Sequence, residues 1–89
     1  MIKRKVKIKN PTGLHLRPAG MFCKRAAEFE DCSIRFRVDN NTTGNAKSVL
    51  SVLAACIKQG DEIEIICEGD SEEHAMEAMV RLVEEELED

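Results

Sequence analysis

From Lys3 to Lys9 the chain alternates strictly, with Lys3, Lys5, Lys7 and Lys9 on one side and Arg4, Val6 and Ile8 on the other. A period of two sends successive side chains to opposite faces of a strand, so this pattern predicts a strand buried on one face only. Ile34, Phe36 and Val38 repeat the pattern between Arg35 and Arg37, as do Ile63, Ile65 and Cys67 among Glu62, Glu64 and Glu68. A sheet wet on one face is the antiparallel kind, and its dry face must be covered by something else.

The cover is written between the strands. After the turn residues Asn10-Pro11-Thr12-Gly13, the residues Leu16, Ala19, Phe22, Cys23, Ala26 and Ala27 recur at helical spacing. Pro18 fits a first turn, where its missing N–H has no intrahelical partner, so the helix begins close to His15 or Leu16. Asp39-Asn40-Asn41-Thr42-Thr43-Gly44 reads as the turn of a hairpin. Ser48 reads as the N-cap of a short helix carrying Val49, Leu50, Val52 and Leu53. Asp70 and Glu73 suggest a capping arrangement before a final helix whose inner face holds Ala75, Met79, Leu82, Val83 and Leu87. The expected fold is α+β, an open-faced two-layer arrangement in the order βαββαβα, with a four-stranded antiparallel sheet and three helices on one face.

At 89 residues and 43% apolar content the chain has room for one domain, residues 1–89, with a single core. Three phenylalanines and no Trp or Tyr leave little to stack nucleic-acid bases on. Charge divides along the chain: residues 1–47 hold 11 Lys/Arg and 4 Asp/Glu, and residues 48–89 hold 2 and 13. The Lys and Arg stripes are read as a solvated sheet surface, not a nucleic-acid site. Cys23, Cys32, Cys56 and Cys67 form no Cys-x-x-Cys pair and are read as buried thiols, with no metal site. No segment approaches a membrane span or a signal peptide, so a cytoplasmic monomer without cofactor is expected.

Chemistry concentrates in Gly13-Leu14-His15-Leu16-Arg17-Pro18-Ala19. A histidine at the mouth of a helix lies beside the unpaired N–H groups of the first turn and the positive end of the macrodipole, which stabilise an added anion. An imidazole nitrogen is a nucleophile capable of covalent intermediates. For a phosphoryl group, the backbone N–H groups of Leu16 and Arg17 and the Arg17 guanidinium have the right chemistry, while Pro18 offers no donor. Around His15 there is no Ser/His/Asp set, nucleotide loop or metal cluster, so it acts as acceptor and donor without turning over a small molecule.

These residues carry a family resemblance. Asn10-Pro11-Thr12-Gly13-Leu14-His15-Leu16-Arg17-Pro18-Ala19 resembles the phosphohistidine loop of the HPr phosphocarriers of the bacterial phosphoenolpyruvate-dependent phosphotransferase system. Lys47-Ser48-Val49-Leu50-Ser51-Val52-Leu53 resembles that family's serine-centred second signature. The resemblance implies that His15 accepts a phosphoryl group on Nδ1 from phosphorylated enzyme I and passes it to a IIA protein or domain for sugar uptake, with Arg17 neutralising charge. It implies that Ser48 is the serine modified by HPr kinase/phosphorylase. It also implies a docking surface with an apolar centre and basic rim, drawn from Leu16, Gly20, Met21, Lys24, Lys47, Val49, Leu50 and Leu53. His74 matches no family role and reads as solvent exposed.

Residue 16 is Leu where many members have Ala, residue 20 is Gly, and the Asp39–Gly44 turn is two residues longer than in the typical sugar-system carrier. That last departure leaves a nitrogen-type regulatory phosphorelay open as the pathway. A module holding RNA on its basic sheet face is the alternative from another functional class.

Overall fold

The computed structural model describes residues 1–39 and 41–87. It contains β1 (Ile2–Lys7), α1 (Leu16–Ala27), β2 (Cys32–Arg37), β3 (Thr43–Asn45), α2 (Val49–Ala54), β4 (Glu62–Gly69) and α3 (Glu72–Arg81) in that order. The four strands form one antiparallel sheet in the order β1-β4-β2-β3. The α+β architecture and element order are those the period-two and helical patterns predict.

Alternation decides which face is dry. Val6, Ile34, Phe36, Ile63, Ile65 and Cys67 turn inward and are buried, as are Phe22, Ala26, Val52, Met76 and Met79 from the helices. Phe22 meets Phe36 edge to face, with ring centroids 6.5 Å apart and planes at 81°. That geometry adds about 0.5–1.5 kcal/mol to the burial of two large rings. After Arg81 the last helix widens into a π-helical turn over Leu82–Glu86, closed by a 2.9 Å bond from the Leu87 N–H to the Leu82 carbonyl. Leu82, Val83 and Leu87 are all buried, so the wider turn continues the inner face of α3 to its end.

Several details differ from the sequence reading. β1 ends at Lys7, and Arg4, assigned to the inner side, is exposed. β1 is an edge strand, so a long side chain leaving its inner face reaches water past the border of the sheet. Cys23, Cys32 and Cys67 are buried thiols, and burial pushes the Cys67 thiol up to about 12. Cys56 is exposed, because the chain leaves α2 through a left-handed residue there, at φ 53°. Asp39 does organise the β2–β3 connection: its Oδ1 accepts the N–H groups of Asn41 and Thr42 at 2.7 and 2.9 Å, although residue 40 of the expected turn lies outside the described residues.

The start of α3 is also built differently. Ser71 is the N-cap residue but makes no capping bond, and its hydroxyl donates to Asp31 Oδ1 at 2.7 Å. Glu72, in place of the Asp70 and Glu73 pair, accepts the Gly69 N–H at 3.1 Å and the N-terminal ammonium at 3.0 Å. The Gly69 N–H first, then the ammonium, hold the Glu72 carboxyl below its ordinary 4.5. A carboxyl lowered in the folded state stabilises the fold above its unfolded pKa and loses that contribution as pH falls through the folded value. Denaturation curves collected from roughly pH 6 to pH 3 should show stability falling with acid, with a shallower fall in Glu72→Gln.

Candidate phosphoryl-acceptor site

The loop before α1 is fixed by backbone bonds to a distant segment. Ile8 donates its N–H to the Asp61 carbonyl at 2.9 Å, and the Gly60 N–H returns to the Ile8 carbonyl at 2.8 Å. The Gly13 N–H closes a turn on the Asn10 carbonyl at 3.1 Å, and the Leu14 N–H reaches the Ile57 carbonyl at 3.0 Å. Gly13 sits at φ +66°, and a Cβ there would meet the Ile57 carbonyl oxygen at 2.4 Å and the Lys58 Cα at 2.8 Å. Only glycine satisfies both the left-handed backbone and the close approach. Leu14 is then buried, which leaves His15 to emerge at the surface as the next residue.

His15 is the N-cap residue of α1, in extended backbone at φ −86° and ψ −163°, and its imidazole makes no capping bond. Its carbonyl accepts the Ala19 N–H at 2.8 Å, the first bond of the helix. The N–H groups of Leu16 and Arg17 are the ones a helix start leaves without internal acceptors, and Pro18 has none to leave. No acidic residue occupies the first turn, so no carboxylate offsets the positive end of the macrodipole beside the exposed ring. His15, Leu16 and Arg17 are all exposed. This is a shallow electropositive mouth in which an anion on the ring would find backbone donors and a guanidinium.

At 100° per residue, Leu16, Arg17, Gly20, Met21 and Lys24 occupy one side of α1, opposite the buried Pro18, Ala19, Phe22, Cys23 and Ala26. Val49, Leu50 and Leu53 share a side of α2, which packs against α1. Leu16 is 70% exposed and Leu50 81%, and with Met21 and Val49 they are four of the five exposed large apolar side chains among the described residues. Their concentration on α1, which His15 opens, and on α2, which packs against α1, is not what scattered surface leucines would give. Gly20 on that side of α1 and Leu53 on that side of α2 are half-buried.

A Cβ at Gly20 would meet nothing within 4 Å. Gly20→Ala should therefore gain the helix propensity that glycine lacks, about 1 kcal/mol. Thermal unfolding should show a rise of about 4–8 °C at full effect.

The basic side chains divide into two sets. Arg17 and Lys24 are exposed, but the Lys47 ammonium donates to the carbonyls of Phe29 at 2.8 Å and Cys32 at 2.7 Å. Lys47 thus ties the start of α2 to the segment between α1 and β2. Arg25 pairs with Glu86 at 3.0 Å. Ser48 caps α2 as its position predicts, its Oγ accepting the Ser51 N–H at 3.2 Å. His74 is exposed at the opposite end of α1, its ring edge-on to Phe29 at 5.6 Å. The sequence reading missed Asn10, whose buried side chain donates to the Gly13 carbonyl. Its only local signal was the Asn-Pro-Thr-Gly turn itself.

Among the described residues no cluster of three or more His, Cys, Asp or Glu side chains is placed to hold a metal, and no helix is long and apolar enough to cross a membrane.

Residues 2–85 match the family described as the PTS HPr component phosphorylation site. The chain is 36% identical to the HPr-like protein Crh of Halalkalibacterium halodurans, over 97% of this chain and 100% of that one. It is 34% identical to the phosphocarrier protein HPr of Mycoplasma pneumoniae, over 94% of each. Its fold superposes on an HPr of Thermoanaerobacter tengcongensis with a TM-score of 0.88 at 38% identity, covering 94% of this chain and 92% of that one. With an exposed histidine at the N-cap position of α1, a serine capping α2 and this match along nearly its whole length, the chain belongs to the HPr phosphocarrier family of the phosphotransferase system.

Proposed function

We propose that the protein is a stoichiometric phosphoryl carrier that works through His15. The observation that carries this reading is the uncapped, exposed imidazole at an α1 N-terminus free of first-turn carboxylates. Nδ1 of His15 attacks the phosphorus held by phosphorylated enzyme I. The new N–P bond forms as the bond to the donor atom breaks, and the donor leaves with the bonding pair. The N–H groups of Leu16 and Arg17 and the Arg17 guanidinium then hold the phosphoryl oxygens. A IIA protein or domain attacks the same phosphorus from solvent, and the shallow site leaves that in-line approach open. The apolar surface of Leu16, Met21, Val49 and Leu50, rimmed by Arg17 and Lys24, receives both partners in turn. Transfer to a sugar-specific IIA protein but not to a nitrogen-type one would assign the carrier to sugar uptake, and the reverse would assign it to a regulatory relay.

Ser48 is the proposed regulatory position. At the N-cap of α2 a phosphate meets backbone N–H groups and is electrostatically tolerated, while adding roughly two negative charges beside Val49 and Leu50. Ser48→Asp should accept phosphoryl groups from enzyme I several-fold more slowly, by about 1 kcal/mol in transition-state terms, while melting within a few degrees of the parent protein. Unchanged transfer in that variant would remove the regulatory role.

A further inference from the structure

We propose that Asn10 is a positioning residue for phosphoryl transfer at His15, a proposal that rests on the carrier reading above. Asn10 is only 5% exposed, and it binds Gly13 twice. Its carbonyl accepts the Gly13 N–H at 3.1 Å, and its side-chain Nδ2 donates to the Gly13 carbonyl. That carbonyl belongs to the planar peptide unit shared with the Leu14 N–H, and in a trans peptide the two groups point in opposite directions. The Leu14 N–H is bonded to the Ile57 carbonyl at 3.0 Å. One peptide plane is therefore pinned from both sides, by Asn10 on one and by Ile57 on the other. The chain runs from this plane through buried Leu14 directly into His15, so the plane sets where the N-cap backbone begins and where the imidazole is presented.

The other half of the amide supports the assignment. Asn10 Oδ1 is buried and has no hydrogen-bond partner among the described residues. A buried acceptor left unpaired is costly, and an apolar side chain would avoid that cost. Packing alone thus gives no reason for an amide here; the bond it donates to Gly13 does.

Two variants test the role. Asn10→Leu keeps the branched outline and the number of heavy atoms and removes the donor. Asn10→Asp keeps the shape, lacks the donor when ionised and regains one, as a carboxylic acid O–H, when protonated. Both are assayed as phosphoryl acceptors of enzyme I in steady state, beside the parent protein. For Asn10→Leu the expected result is a kcat lower by about tenfold to a hundredfold with KM unchanged, since misplaced reacting atoms slow transfer while the docking surface is untouched. For Asn10→Asp the rate relative to the parent should be low at neutral pH and recover as the carboxyl protonates. Should Asn10→Leu fail to fold, the pH dependence of Asn10→Asp still decides. A kcat within twofold of the parent in folded Asn10→Leu, or a pH-independent ratio for Asn10→Asp, would overturn the proposal. A parent protein that takes up no phosphoryl group would instead overturn the carrier reading itself.

Discussion

Replacing His15 with alanine is expected to abolish phosphoryl acceptance while leaving the fold intact. The imidazole is exposed at a helix mouth and makes no capping bond, so its removal costs no buried contact and no side-chain cap. Thermal unfolding should change by no more than about 0.5 kcal/mol, the usual range for a surface substitution away from special features. Acceptance should fall to background, because alanine offers no nucleophile beside the amides of Leu16 and Arg17. A large drop in melting temperature would contradict this placement of the side chain. Retained phosphorylation would transfer the chemistry to another residue.

Gly13→Ala should damage both properties together, and this separates the architecture of the site from its chemistry. The new Cβ would lie 2.4 Å from the Ile57 carbonyl oxygen, a backbone atom unable to swing aside as a flexible side chain would. The left-handed φ of +66° adds strain of about 1–3 kcal/mol for a residue with a side chain. Relief requires the loop to move off the Ile57–Lys58 segment, breaking the Leu14–Ile57 bond and releasing the backbone that presents His15. Chemical denaturation should show a loss of at least about 2 kcal/mol. Phosphoryl acceptance measured well below the melting temperature should fall by at least about tenfold. A variant as stable as the parent would mean that the loop accommodates the Cβ at no cost and that the close approach does not constrain the site.

The contrast between these variants follows what was legible in the sequence. The α1 N-terminus was readable because its signals are local: turn residues, a proline in the first turn and an apolar stripe of helical period. Ser48 was readable as a cap for the same reason, and the strand faces followed from alternation alone. Features that depend on meetings between distant segments were not readable. Lys47 is expected in the basic rim of the docking surface, and only the fold shows the Phe29 and Cys32 carbonyls holding its ammonium. Cys56 shared the apolar neighbourhood of the other cysteines, and only the left-handed exit from α2 puts it in water. Asn10 drew notice as a turn residue, but its importance depends on the Ile57 carbonyl on the far side of the Gly13–Leu14 peptide. Arg4 followed the alternation onto the inner face, and the position of β1 at the edge of the sheet returns it to solvent.

The division of charge along the chain also acquires a physical form. On the open face, β4 lies between β1 and β2, and its register sets Glu64 beside Lys5 on one side and Arg37 on the other. Arg37 closes on Glu64 at 3.0 Å. The basic strands thus flank an acidic one, and cross-strand pairing accounts for part of a stripe that in the sequence alone could suggest a polyanion site. Salt-steep RNA binding that survives His15→Ala would be needed to revive that alternative.

Everything proposed for this site turns on His15 receiving and releasing a phosphoryl group. The most direct test incubates the protein with phosphoenolpyruvate, magnesium and a catalytic amount of enzyme I, followed by intact mass spectrometry and nitrogen-selective NMR. The expected result is one acid-labile phosphoryl group per chain, located on Nδ1 of His15 and lost in His15→Ala. An unmodified chain, with an enzyme I that phosphorylates a known acceptor in the same tube, would contradict the claim.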